Sequence, residues 1–158
     1  SVDFTDSEVS VLDHPFYGVY YGQAALPLAP DMIRYVTLPS MKHCTVTYNE
    51  GFGEEVMDFY DMEKAYGKDP YEMFLAGTKA LVTIENPEAV SDKELVIFRD
   101  SFGSSLAPLF TDYYQKITLV DLRYLSGSMV GNFVEFKNQD VLFLYSTLIL
   151  NNSLALKP

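Results

Sequence analysis

Three continuously apolar, β-branched runs in the second half of the chain constrain the fold more than any other feature. They are "ELVIF" at 94–98, "ITLVDL" at 117–122 and "DVLFLYSTLIL" at 140–150. A run without polar alternation fits a strand buried on both faces, as in parallel sheets covered on each side. Between the runs lie two segments with helical composition, "SSLAPLFTDYYQK" and "GSMVGNFVEFKN". Strand, helix, strand, helix, strand at this spacing predicts a parallel βαβαβ unit joined by right-handed crossovers. Pro108 is compatible with the first of these helices only near its first turn.

The first half reads as extended. "PFYGVYYGQ" is aromatic and interrupted by glycine, "DMIRYVTLP" ends at Pro39, and "HCTVTYN" follows, each with strand character. "NEGFGEE" is a turn signal and "VMDFY" a further short strand. Residues 61–76, "DMEKAYGKDPYEMFLA", read as two short helices broken at Gly67 and Pro70, with Asp69 capping the second. "ALVTIEN" closes this half as a short buried strand. The expected class is α/β, with a β-rich region over 1–60 and an α/β core over 61–158. These form either one domain or the C-terminal segment of a larger one.

Composition narrows the function classes. The 158 residues carry a formal charge of −11, and the 11 basic side chains are scattered, so no patch exists to follow a phosphate backbone. No apolar run reaches the ~18 residues that span a membrane as a helix. No signal-peptide pattern is present, and the chain opens on Ser1, expected to be a boundary or processing site. Cys44 is the single cysteine, which excludes an internal disulfide. Two histidines and one cysteine make a structural zinc site a poor fit, and no cofactor is indicated. His43-Cys44 are neighbours, and in a strand they would face opposite ways, which argues against a thiolate–imidazole pair.

Ligand sites of parallel sheets lie beyond the carboxyl ends of the strands. Three polar groups fall there: Arg99-Asp100-Ser101, the "DLRY" of Asp121 to Tyr124, and Tyr145-Ser146. A serine opening a helix can present its hydroxyl as a nucleophile while its N–H stabilises a developing oxyanion. Gly103 would permit close backbone approach. Serine is equally a preferred helix cap, and the Asp-Ser-Phe string lacks the flanking glycines of a nucleophile elbow. The residues alone leave both readings open.

The run "LVIFRDSFGSSLAPLFTDYYQKITLVDLRYL", followed by "DVLFLYSTLIL", resembles the C-terminal part of the DHHW family of bacterial envelope proteins. That family is similar to SGNH hydrolases and to alginate O-acetyltransferase-like proteins. "FYGVYYGQ", "DMIRY" and "YEMFLAGTKALVTI" resemble its middle region. The resemblance implies a three-layer SGNH-like unit with Ser101 as the acyl-accepting nucleophile and its N–H in the oxyanion hole. Gly77-Thr78 falls where the family often has Gly-Asn. Asp121 and Arg123 match its "D-x-R-Y", so Arg123 would orient Asp100, bind an acidic substrate group, or simply form a structural ion pair. An extracytoplasmic location and a carbohydrate or acyl-ester substrate are implied as well.

One departure matters. The family's Asp-His-His-Trp signature, which supplies the acid/base pair, is absent from residues 1–158, and no histidine follows Ser101. His14 and His43 are the candidates within the chain. Two functional classes follow: the nucleophile-bearing segment of an SGNH-like esterase or O-acyltransferase, inactive in isolation, or a non-catalytic carbohydrate-binding or scaffolding domain. Tyr17, Tyr20, Tyr21, Tyr113, Tyr114 and Tyr124 suit sugar stacking under either class, or core packing under neither. Oligomeric state is not legible.

Overall fold

The computed structural model describes residues 5–18, 21, 27–49 and 53–157. Eight strands occur among them: β1 (Glu8–Phe16), β2 (Asp31–Thr37), β3 (Thr45–Asn49), β4 (Glu54–Met57), β5 (Leu81–Glu85), β6 (Glu94–Arg99), β7 (Lys116–Val120) and β8 (Asp140–Leu144). β1 and β2 form a separate antiparallel ribbon, whose register shifts between Val11 and Pro15. The other six make one sheet in the order β4-β3-β5-β7-β6-β8. The expected parallel trio is present, because β6 pairs in parallel with both β7 and β8. β5 joins β7 antiparallel and makes the sheet mixed. The fold is α/β with little helix.

The apolar runs explain the sheet's position. Leu95, Ile97, Ile117, Leu119, Val82 and Ile84 point to one face and bury against Leu75 and Ala107. Val96, Phe98, Val120 and Leu81 point to the other and bury against Leu125, Val130 and Val134. Each such side chain taken from water contributes roughly 1.5–3 kcal/mol, so these strands carry most of the packing free energy. A third cluster, Leu12, Ile33, Ala65, Met73 and Phe74, holds the β1–β2 ribbon against the segment that follows β4.

That segment reads as the sequence predicts. Helix α1 (Met62–Ala65) is capped by Asp61, and a 3-10 turn (Pro70–Met73) by Asp69, whose side chain accepts the Tyr71 N–H. The expected strand "VMDFY" is displaced: β4 ends at Met57, and Tyr60 makes only an isolated bridge to Phe74. "PFYGVYYGQ" is strand only to Phe16. Gly18 has φ +66°, and residues 19, 20, 22 and 23 of that stretch lie outside the described residues.

The two crossover helices are much shorter than expected. After β6, helix α2 spans Phe102–Leu106 and gives way to a 3-10 turn at Ala107–Phe110. Pro108 lacks the N–H to extend the α-helix, so the tighter turn replaces it. "GSMVGNFVEFKN" forms only a 3-10 turn at Gly127–Asn132. Its two glycines and Asn132 disfavour helix, and within that turn only Val130 is buried. "DVLFLYSTLIL" is not one strand: β8 stops at Leu144, and helix α3 (Thr147–Asn151) begins after Ser146.

The ribbon is tied to the body by a hydrogen bond from the Tyr60 hydroxyl to the Val36 carbonyl. Burial, with a smaller push from Tyr35, raises the Tyr60 phenol to about 12. A phenol raised on folding contributes stability that is complete below its unfolded value of about 10 and is lost as pH climbs through about 12. Denaturation midpoints are therefore expected to fall across that window. Tyr60→Phe should flatten the fall, and an unchanged profile in that variant would exclude Tyr60 as its source.

Candidate functional site

The carboxyl ends of the three parallel strands meet at one edge of the sheet. Phe98 pairs with Val120, and Arg99 pairs with Leu144. Three groups are thereby brought together: Asp100-Ser101, Asp121 to Arg123, and Ser146. Of these, Ser101 and Arg123 line a cavity of about 360 Å³, together with Tyr71, Gly77, Thr78, Phe102 and Ser104 and the carboxylate residues Asp69 and Glu72, among others.

Ser101 is exposed, and its hydroxyl makes no capping hydrogen bond to α2. Asp100 does that work instead. One carboxylate oxygen accepts the Phe102 N–H at 3.0 Å, and the other accepts the Ser146 N–H at 2.6 Å. This carboxylate clamps the turn carrying Ser101 to the end of β8. The Ser101 N–H has no hydrogen-bond partner among the described residues, whereas the Phe102 N–H serves Asp100 and the Gly103 N–H donates to the Asp100 carbonyl. Of the turn's amides, Ser101 alone is left for a ligand oxygen.

Gly103 has a different role from the expected one. A Cβ placed there would lie 2.6 Å from Arg99 Cβ and 2.9 Å from Arg99 Cγ, so the close approach belongs to a buried side chain, not a ligand. Arg99 is 1% exposed. Its guanidinium donates to the carbonyls of Asp100 and Lys79 and lies 3.6 Å from Asp121. Burial lowers its ordinarily very high pKa, with Asp121 opposing.

Arg123 does not orient Asp100. Its Nε and Nη2 both donate to Asp121, at 2.9 and 2.6 Å, and Asp121 also accepts the Arg123 N–H. That bidentate bond, more than anything else, raises the Arg123 pKa. The Arg123 Nη1 has no partner among the described residues and remains for the cavity that the side chain lines.

Sequence reasoning missed Tyr71 and Ser104. The Tyr71 hydroxyl lies 2.9 Å from Ser105 Oγ and 3.3 Å from the Ser101 carbonyl oxygen, bracing the first turn of α2. Burial raises its pKa, which keeps it a phenol and unsuited to act as a base. No spacing links residue 71 to residue 101. Ser104 was within reach, since i and i+3 share a helical face. Its Oγ is buried and has no hydrogen-bond partner among the described residues.

Neither histidine lines this cavity. His43 lies 3.3 Å from Glu88, beside the start of β3. Thr45 there pairs with Glu85, and Glu85 with Lys116, at the amino end of β7. The length of β7, roughly 15 Å at ~3.3 Å per residue, separates that end from Ser101. His14 lines a neighbouring cavity of about 610 Å³ and stands edge-on to Tyr66. Cys44 is not activated: burial, then Asp112, push its thiol up to about 11. No metal-ligating cluster occurs among the described residues. Of the tyrosines, Tyr17, Tyr113 and Tyr124 are exposed, Tyr124 beside the Arg123 guanidinium. Tyr21 and Tyr114 are half-buried, and Tyr20 lies outside the described residues.

No family model matches the sequence, and no curated protein matches it. Solved structures do. A DHHW family protein from Eubacterium siraeum is 23% identical with a TM-score of 0.71, covering 99% of this chain and 51% of its own. Bacillus cereus PatB1 with a sulfonyl adduct is 17% identical with a TM-score of 0.71, covering 94% and 50%. A second structure of Bacillus cereus PatB1 is also 17% identical, at a TM-score of 0.65, covering 91% and 49%. The chain therefore has an α/β fold shared with a DHHW family protein and with PatB1, and spans about half the length of each.

Proposed function

We propose that the chain is the nucleophile-bearing segment of an SGNH-like serine esterase or O-acyltransferase of the bacterial cell envelope, acting on esterified carbohydrate. The observation that carries this reading is the Ser101 hydroxyl, exposed in a cavity and released from capping by Asp100. A sulfonyl adduct on a structural neighbour is consistent with it, since sulfonyl electrophiles report nucleophilic side chains. In the reaction, a base takes the proton of Ser101 Oγ as the oxygen attacks the ester carbonyl. The C–O bond to the leaving alcohol breaks, and that alcohol takes the proton from the base. Water or a sugar hydroxyl then attacks the acyl-serine and regenerates Ser101. The Ser101 N–H, the Thr78 hydroxyl and Arg123 Nη1 supply the donors for the oxyanion; Asp121 holds Arg123 in place. No histidine lines the cavity, so the segment alone is expected to be inactive or nearly so.

A binding role is the second reading, favoured by the exposed rings of Phe102 and Tyr124 beside cavity residues Ser101 and Arg123. Chemical rescue separates the two. With phenylmethylsulfonyl fluoride and added imidazole as a surrogate base, peptide mapping should find the adduct on Ser101, at least tenfold above half-buried Ser91 or exposed Ser128. Equal labelling of the three serines, or the same intact-mass adduct in Ser101→Ala, would sink the nucleophile.

A further inference from the structure

The cavity beside Ser101 does not end at its own walls. A second cavity of about 610 Å³ adjoins it, and Phe16, Gly18, Asp69 and Glu72 line both. Both volumes fall within the roughly 300–1,000 Å³ of small-molecule sites. The outer cavity lies between the end of β1 and the segment from Lys64 to Glu72. The third core cluster packs those two pieces of chain together. The β1–β2 ribbon, which adds no strand to the six-stranded sheet, thus supplies one wall of a groove that leads to Ser101.

The junction of the two cavities combines an aromatic ring with uncommitted polar groups, the usual make-up of a ligand site. Phe16 supplies the ring, braced by stacking on Tyr71 at 6.5 Å between centroids. A Cβ on Gly18 would lie 3.8 Å from that ring, the distance of ordinary packing, so glycine leaves this part of the ring to a ligand carbon. The Glu72 carboxylate is exposed and has no hydrogen bond or ion pair among the described residues. Gly77 lies directly against its side chain: an added Cβ would meet Glu72 Cβ at 3.1 Å and Cγ at 3.2 Å. In the inner cavity, Ser104 is 2% exposed and its Oγ has no partner among the described residues. Buried hydroxyls are nearly always paired, so this one points to a polar ligand.

Charge narrows the class of that ligand. Asp121 neutralises Arg123 at 2.6 Å, which leaves Asp69 and Glu72 as the charges of the inner cavity. In the outer cavity the same two carboxylates are joined by Lys64 and Lys68. A polyanion would meet the carboxylates in both cavities, and the net charge of −11 repels it from a distance. A polycation would meet the lysines in the outer one. Uncharged hydroxyls suit both sets, because they donate to carboxylates and accept from ammonium groups. We propose that the two cavities together bind one uncharged oligosaccharide of two or more units. The esterified unit lies at Ser101 and the next unit lies on Phe16 and Glu72. The placing of the ester rests on the function proposed above, whereas the groove stands on its own lining residues.

The test is an NMR titration, followed at the backbone amides, with tetramers of glucose, N-acetylglucosamine, glucosamine and galacturonic acid, each beside its monosaccharide. An uncharged tetramer is expected to shift the amides of Thr78 in the inner cavity and Lys68 in the outer one together. It should bind roughly tenfold or more tightly than its monosaccharide, because two linked subsites are filled at once. Glu72→Ala should weaken that tetramer roughly tenfold, the cost of a lost hydrogen bond to a charged group, at an unchanged melting temperature. Glu72→Gln keeps an acceptor and should recover part of the loss. Glu63→Ala, outside both cavities, should change nothing. Tetramers no tighter than their monosaccharides, or shifts confined to one cavity, overturn the shared groove. Tighter binding of the galacturonic acid or glucosamine tetramer overturns the uncharged ligand. Tetramer binding without sulfonylation of Ser101 supports the groove and overturns the nucleophile, whereas sulfonylation without tetramer binding overturns the groove alone.

Discussion

Replacing Asp121 with alanine is expected to destabilise the protein by roughly 3–5 kcal/mol, the usual cost of removing one partner from a buried ion pair. Asp121 is fully buried and lies between two guanidinium groups, Arg99 at 3.6 Å and Arg123 at 2.6 Å. Without the carboxylate, Arg99 remains an enclosed cation whose Nε already has no acceptor among the described residues. The midpoint of thermal unfolding should fall by about 10 °C or more for a domain of this size. Arg123→Ala should cost less, because its side chain is partly in water and Asp121 keeps Arg99 as a neighbour. A loss in Asp121→Ala no larger than in Arg123→Ala would show that the pair is not the anchor described here.

Gly103→Ala is expected to damage stability and Ser101 together. The new methyl would meet Arg99 at 2.6 Å, and Arg99 cannot swing aside while its guanidinium is held by Asp121, Asp100 and Lys79. The backbone of residues 100–103 must yield, at about 1–3 kcal/mol for overpacking. That backbone carries both bonds of the Asp100 clamp, so imidazole-rescued sulfonylation of Ser101 should fall at least tenfold. Gly131→Ala is the matched control, because nothing lies within 4 Å of its added carbon. Normal labelling and a normal melting temperature in Gly103→Ala would refute the packing argument.

Backbone strain is concentrated at the same edge. Leu75 and Ala76 have φ of +50° and +52°, and Gly77 +80°, three successive left-handed residues leading to Thr78. Such conformations in non-glycine residues persist only where the surroundings hold them. Here the Leu75 side chain is fully buried, and the Ala76 carbonyl accepts a 2.6 Å bond from Lys64. Nothing in "FLAGT" announces this, since leucine and alanine ordinarily read as helix.

What the sequence determined by itself is what depends on local chemistry. Uninterrupted runs of Val, Ile and Leu can be satisfied only between two covered faces, so the parallel trio β6, β7 and β8 was legible. Asp61 and Asp69 were legible as caps because a short acceptor before a helical turn has few other uses. The carboxyl ends of the strands pointed to Ser101, Asp121 and Arg123 as neighbours. The tertiary structure decided the rest, because those outcomes depend on residues far apart in the chain. Pro108 and the glycines near Val130 shortened both crossovers once the core could be covered without full helices. Arg99 turned inward because Asp121 was there to meet it, and that contact, not a ligand, demands Gly103. The cap of α2 passed from Ser101 to Asp100 because the Asp100 carboxylate reaches two amides at once, one of them 46 residues away on the far side of β8. No reading of the turn alone contains that second amide, and it leaves the Ser101 hydroxyl uncommitted.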